Sequence, residues 1–146
     1  MADHEADHEA AAVYAAEDAA LAGWPLRRFR RFAEIPRFVE TVTTSSWWDE
    51  SFPGAPVEVA VQRRSRTATY SAAAETSDEV GVLALVDGRG WGLDTILHEL
   101  AHLAAGRRAA HGPRFRTALL MLWRREAGIE GWAALRAAFA DAGLDT

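Results

Sequence analysis

The segment at residues 97–103 constrains the fold of this chain more than any other part of the sequence. It reads Leu-His-Glu-Leu-Ala-His-Leu. The apolar residues in and around it fall at i, i+3, i+7 and i+10, the spacing of one helix face: Leu93, Ile96, Leu100 and Leu103. The pattern predicts an amphipathic helix over about 94–105, with Asp94 as its N-cap and the apolar face packed on a core.

Two histidines on this predicted helix are spaced to bind a metal ion. His98 and His102 are one helical turn apart, so both imidazoles project from the same side and can reach one metal ion. Glu99, next to the first histidine, is placed to accept a proton from a zinc-bound water rather than to bind the metal. The same pattern recurs at residues 4–8, but there Asp7 interrupts it and no apolar face accompanies it, so we expect no site.

A catalytic zinc ion needs a third protein ligand. The chain has no cysteine, so any metal site must be built from His, Asp and Glu. Gly106 ends the predicted helix, and a turn at 107–110 precedes His111 and a second helix that begins with Pro113. This reversal of the chain can bring His111 back beside His102, so we interpret His111 as the third ligand.

Glu126 is the alternative to His111. It lies on the apolar stripe of the second predicted helix, 11 residues after Phe115. A carboxylate that points inward is unfavourable unless it has a partner. Three roles are therefore open for Glu126. It is a zinc ligand in place of His111, an acceptor for the N–H of a ligand histidine, or the ion-pair partner of a neighbouring arginine, Arg124 or Arg125.

The length of 146 residues corresponds to a single domain over 1–146, with residues 1–8 frayed at the N-terminus. The net charge is −5, and all 16 basic residues are arginines, which excludes lysine Schiff-base chemistry. Neither a signal peptide nor an apolar run of membrane-spanning length is present, so we expect a cytoplasmic protein without a membrane partner.

The order of predicted elements indicates an α+β fold. A helix at about 9–22 and a short edge strand at 26–32 come first, followed by a helix from Pro36 to about Thr44. The remaining predictions are a loop at 45–56, strands at 57–61, 67–73 and 80–86, turns at 76–78 and 87–90, and helices at 94–105, 113–127 and 130–142. We expect a small sheet of about three or four strands, with 80–86 buried on both faces. The sheet would pack against the His98–His102 helix, and further C-terminal helices would follow.

The two histidine motifs together resemble a known group. HELAH at 98–102 and HGPRF at 111–115 resemble the SprT-like zincin metallopeptidases, in which the histidine of an HGxxF segment is the third zinc ligand. The chain is also similar in layout to an actinobacterial family of small metallohydrolases. The motif resemblance covers residues 80–127. It implies a zincin-like fold, one Zn²⁺ per chain held by His98, His102 and His111, and Glu99 as general base.

The sequence thus predicts a zinc-dependent hydrolase, in particular a metallopeptidase acting on a peptide or protein. The alternative is a non-catalytic metal-binding domain that binds a protein partner through Trp47 and Trp48, unless both tryptophans pack in the core. Arginine clusters at 27–31 and 63–66 would suit nucleic acid, but the acidic first 20 residues and the negative net charge favour a solvated surface. We therefore expect no nucleic-acid partner, and the oligomeric state is not predicted.

Overall fold

The computed structural model describes residues 2–76 and 79–146, with side chains from Glu9 onward. The chain is α+β, as predicted, and divides into two compact units: residues 27–107, and residues up to 26 together with 108–146. The first unit contains α2 (Glu34–Thr43), α3 (Ser46–Ser51), β1 (Glu58–Arg64), β2 (Ala72–Glu75), β3 (Val80–Val86) and α4 (Leu93–Ala105). The second contains α1 (Ala2–Gly23) and α5 (Pro113–Asp141).

The sheet of the first unit has three strands in the order β1-β3-β2. β1 runs parallel to β3, with Glu58 opposite Val80, whereas β2 runs antiparallel, with Ala72 opposite Ala84. Gly81, Leu83 and Leu85 form one face of β3 and are buried. Val80, Val82 and Ala84 on the other face are half-buried, and only Val86 at the end of that face is buried. The expected burial on both faces therefore holds for one face only. The central position of β3 agrees with its nearly continuous apolar sequence.

Helix α4 packs on β2 and β3. Gly81 in β3 makes this approach possible, because a Cβ at that position would lie 2.9 Å from Leu103 of α4 and 3.0 Å from Pro56. The predicted apolar face of the helix is buried, with Ile96 and Leu100 fully inaccessible to solvent. The sheet thus supports the helix that carries His98 and His102, as the sequence predicts.

Three sequence predictions in this unit are wrong in detail. The loop predicted at 45–56 contains α3, which the hydroxyl of Ser45 caps by accepting a hydrogen bond from the backbone N–H of Trp48 (3.2 Å). The strand predicted at 67–73 begins only at Ala72, because a turn from Ser65 and the hydrogen bond from Arg64 to the Tyr70 carbonyl (2.6 Å) hold the preceding residues as a loop.

The predicted edge strand at 26–32 is reduced to one antiparallel bridge between Arg28 and Gly92. The backbone N–H of Leu93 donates to the Arg27 carbonyl (2.9 Å) beside this bridge. The bridge fastens the start of α4 to the residues that precede α2.

The second unit consists of two long helices that pack on each other, α1 and α5. Helix α1 starts at Ala2, earlier than predicted. Gly128 interrupts α5 with φ 81° and ψ 179°, a non-helical conformation, and this break coincides with the predicted boundary between helices at 127–130. The buried side chains of α5 include Phe115, Leu119 and Leu122, the stripe that the sequence predicts.

Some predictions fall outside what the structure describes. The expected fraying covers residues 1–8, of which Met1 and all the side chains lie outside the described part. The second HExxH pattern, at 4–8, consists of these same side chains. The predicted turn at 76–78 lies partly on Ser77 and Asp78, which are also outside it. Within the described residues, every helix is too short or too polar to cross a membrane.

Candidate metal centre

Helix α4 carries the first two histidines, and its N-cap lies two residues before the predicted one, Asp94. Gly92 is the N-cap, in an extended conformation (φ −71°, ψ 143°) and without a side-chain cap. A Cβ at Gly92 would lie so close to the carboxylate of Asp94 that this side chain would have to move. Asp94 instead lies in the first turn, where a negative charge is favoured by the helix dipole.

His98 and His102 project together from α4. Their ring centroids are 5.0 Å apart, with the rings inclined by 70°. His98 is almost fully buried at 2% exposure, whereas His102 is half-buried. The spacing of one helical turn thus brings the two imidazoles into contact, as the sequence predicts.

Glu99 lies beside His98 on the same helix and is 4% exposed. The sequence predicts an amphipathic helix with one apolar face, but all six residues from Ile96 to Ala101 are buried. A buried carboxylate is costly unless it interacts with a polar partner or a metal. Glu99 does interact with other groups of the protein, which makes its burial tolerable.

The chain leaves α4 through Gly106, as predicted. Gly106 has φ +89°, which favours glycine, and its N–H donates to the His102 carbonyl (3.0 Å). A turn of 3₁₀ helix at Arg107–Ala109 follows where the sequence predicts a turn. Gly112 then precedes Pro113, the first residue of α5, and its N–H donates to the Ala109 carbonyl (2.9 Å).

The imidazole of His111 contacts two aromatic rings. Its centroid is 5.6 Å from that of Tyr14 in α1 and 4.9 Å from that of Phe115 in the first turn of α5. Phe115 is fully buried, whereas Tyr14 is 48% exposed. Helix α1, to which the sequence gives no role, therefore contributes to the surroundings of His111.

The backbone of His111 is held by a buried arginine that sequence reasoning missed. Arg116 is 2% exposed, and its guanidinium donates to the carbonyls of His111 (2.9 Å) and Asp145 (2.8 Å). The carboxylate of Glu9 in α1 lies 3.6 Å from the same guanidinium. A signal is present in the sequence, because Arg116 shares a spacing of i, i+4 and i+7 with two apolar residues of α5, Leu120 and Trp123.

Three histidines form a group that could hold a metal ion. One ligand nitrogen from each of His98, His102 and His111 lies within 4.8 Å of the others. Among the described residues, it is the one group of three or more possible metal ligands that lie this close together, and it contains no carboxylate. Three neutral imidazoles form a ligand set that suits zinc better than magnesium or calcium.

Glu126 lies outside this group. It is half-buried on α5, and the Nε of Arg125 is 3.5 Å from its carboxylate. Of the three possibilities that the sequence leaves open for Glu126, the pairing with a neighbouring arginine is therefore present in the structure.

The two tryptophans of the alternative hypothesis lie on α3 rather than in an exposed loop. Trp48 is fully buried, its indole N–H donates to the Pro56 carbonyl (3.1 Å), and its ring packs edge-on against Phe52. Trp47 is half-buried and also packs edge-on against Phe52. The proposed aromatic docking surface therefore does not exist at Trp48.

Comparison of the chain with models of known families, with curated proteins and with solved structures finds no match to any of them. The functional interpretation therefore rests on the chemistry of the residues themselves.

Proposed function

We propose that the protein is a zinc-dependent hydrolase, in particular a metallopeptidase of the SprT-like type, with one Zn²⁺ held by His98, His102 and His111. The observation that carries the proposal is the grouping of these three histidine nitrogens within 4.8 Å, with buried Glu99 directly beside the first of them. Zinc in such a ligand set lowers the pKa of water to about 7 and polarises a carbonyl oxygen.

Glu99 is the residue to which we assign proton transfer. Its carboxylate would accept a proton from the attacking water and then deliver it to the leaving nitrogen of the scissile amide. His98 and His102 are held by the fixed geometry of α4, so they need little reorganisation to bind the metal. His111 completes a set of three protein ligands, which is typical of catalytic rather than structural zinc sites.

Metal content measured by mass spectrometry tests the ligand set. We expect about one zinc per chain in the wild type, in line with the stoichiometry of a single catalytic site. The ion should be lost from His111→Ala and retained by Glu126→Ala. If zinc is lost from Glu126→Ala instead, the third ligand is the carboxylate of Glu126 and not His111. If the wild type contains no zinc even after incubation with excess ion, the proposal is refuted.

Glu99→Gln tests the catalytic assignment separately. This variant should still bind zinc, because Glu99 is not a ligand in the proposed arrangement, but it should lose hydrolysis of a fluorogenic peptide library by at least about 100-fold. Glu130→Gln is a matched control, since Glu130 is an exposed glutamate of α5 outside the group. Equal hydrolysis by Glu99→Gln and the wild type would refute the role of Glu99.

A further inference from the structure

A groove runs along the outer edge of the sheet, and none of the proposed zinc-site residues line it. It has a volume of about 760 Å³, within the size range of ligand-binding clefts. One wall is a face of α2, which includes Pro36 and Glu40, and the other is the stretch from Gly54 to Val61. The groove therefore lies beside the first four residues of β1 and the turn that leads into them.

The edge of β1 is available to another strand. In the described sheet, β1 pairs only with β3, so its other edge carries backbone N–H and C=O groups without a neighbouring strand. Val57, directly before the strand, is 47% exposed, and Val59 and Val61 are half-buried in the groove. An extended peptide could add to this edge by main-chain hydrogen bonds while its apolar side chains cover the valines.

The wall opposite α2 is held in place by buried contacts. The indole N–H of Trp48 donates to the carbonyl of Pro56, and the Pro56 ring lies close to Gly81 of β3. Phe52, 8% exposed, packs against the Trp48 ring with centroids 5.1 Å apart. Because these contacts fix the backbone before β1, a ligand would meet a groove that is already formed, which reduces the entropic cost of binding.

The charge of the groove selects its ligand. Its ionisable lining side chains among the described residues are all carboxylates: Glu40, Asp49, Glu58 and Glu79. All four are exposed. A cationic segment would therefore be attracted and an acidic one repelled.

A second copy of β1 is a poorer fit than a separate cationic peptide. The basic end of the strand is already engaged, because Arg63 makes two hydrogen bonds to Asp87 (3.0 and 2.9 Å) and Asp87 raises the pKa of Arg63. Arg64 likewise donates to the Tyr70 carbonyl. Pairing of two β1 strands would have to compete with these contacts in both copies.

The geometry points to a docking site in which an extended, arginine- or lysine-rich peptide adds to the edge of β1 and places its cations against the carboxylates of the groove. About five residues would be bound, since residues 57–61 line the groove and an extended chain advances about 3.3 Å per residue. This inference does not depend on the proposed zinc chemistry.

The probe is a fluorescein-labelled heptapeptide of alternating arginine and valine, with a glutamate–valine peptide of the same length for comparison. Fluorescence anisotropy should show binding of the cationic peptide only, and the binding should weaken as salt is raised. The double variant Glu40→Gln/Glu58→Gln should bind about tenfold more weakly, because two exposed ion pairs are lost. Glu130→Gln, an exposed glutamate of α5 outside the groove, should bind as the wild type does.

Two N-methylated peptides test the strand pairing itself. Methylation of the odd-numbered amides or of the even-numbered amides removes the donors on one edge of the peptide, and only one of the two patterns faces β1. We expect one methylated peptide to bind as the parent does and the other to lose binding. Equal binding by both would mean that only charge is recognised, and it would overturn the proposal.

Two further measurements complete the test. His98→Ala should leave peptide binding unchanged, which separates this surface from the proposed zinc site. Equal affinity for the acidic peptide, or no binding of the cationic one by a wild-type protein that circular dichroism shows to be folded, would overturn the proposal. A dimer in sedimentation that Glu58→Arg dissociates would also overturn it, because the occupant of the edge would then be a second copy of the chain.

Discussion

Helix α4 and the 106–112 segment each carry histidine for the proposed zinc site, but they are held in different ways. In α4 the spacing of His98 and His102 follows from helix geometry, and the helix packs on the sheet over Gly81. In the 106–112 segment the backbone leaves α-helical geometry, with positive φ at Gly106 and Ala110. His111 is contacted by Arg116 of α5 and by Tyr14 of the distant helix α1. The comparison teaches that two of the proposed ligands are specified locally, whereas the position of the third depends on tertiary structure.

The largest effect should come from the local pair. We expect His98→Ala to lower zinc affinity by more than the roughly 10- to 100-fold typical of outer-shell substitutions, because the remaining ligands no longer share one helix. Competition with a chromogenic chelator measures this affinity. His4→Ala, in the second HExxH pattern, is the control, and a similar loss there would mean that the 4–8 pattern binds the metal.

His111→Ala should have a smaller effect. The His98–His102 pair stays intact on α4, and water can replace the third ligand, so we expect a loss of about 10- to 100-fold, an order-of-magnitude figure for a site that retains two ligands. The same chelator competition applies. A loss as large as that of His98→Ala would remove the distinction between the two regions.

Substitution of Arg116 tests whether tertiary contacts hold the proposed third ligand, His111. Arg116→Met should weaken zinc binding by about tenfold, because outer groups that orient a ligand commonly contribute this much. It should also lower the stability of the metal-free protein, since the carbonyls of His111 and Asp145 lose a buried donor.

Arg116→Lys separates positioning from general stability. It keeps the charge and can restore one hydrogen bond, so it should recover part of the zinc affinity. Arg114→Met, at an exposed position of the same turn, is the matched control. If Arg116→Met lowers the melting temperature while zinc affinity stays unchanged, Arg116 has a purely structural role.

The smallest effect should come from Gly106. Its φ of +89° is strained for any residue with a Cβ, so Gly106→Ala should destabilise the protein by about 1–2 kcal/mol with little change in zinc affinity. Gly23→Ala is the control, because a Cβ there meets nothing within 4 Å and its φ is not positive. Urea denaturation of both variants measures the difference, and equal stability would contradict the assigned strain.

The predictions from sequence succeed where a local pattern determines the structure. The α4 helix, the exit at Gly106 and the break near Gly128 each follow from periodicity or from glycine, and all three are present. The three-stranded sheet agrees with the predicted number of strands, although β2 begins later than expected. Helix α3 was missed, since its six residues depend on a serine cap and on the burial of Trp48.

The site follows the same division. The His98–His102 pair could be predicted from spacing alone, whereas the choice between His111 and Glu126 could not, because it depends on where the chain goes after Gly106. The role of Arg116 could not be inferred either, since its partners Glu9 and Asp145 lie far away in sequence. An arginine on the apolar face of a predicted helix indicates that a buried polar partner is present, but it does not identify the partner.

The turn between α4 and α5 has a consequence for protease digestion. Arg107 and Arg108 are both exposed, and they stand between His102 and His111. A single tryptic cut after either arginine would leave two proposed ligands on the N-terminal fragment and the third on the C-terminal one. Because a metal that bridges both sides of the cut would restrain the turn, zinc should slow cleavage at this site, and chelation should accelerate it.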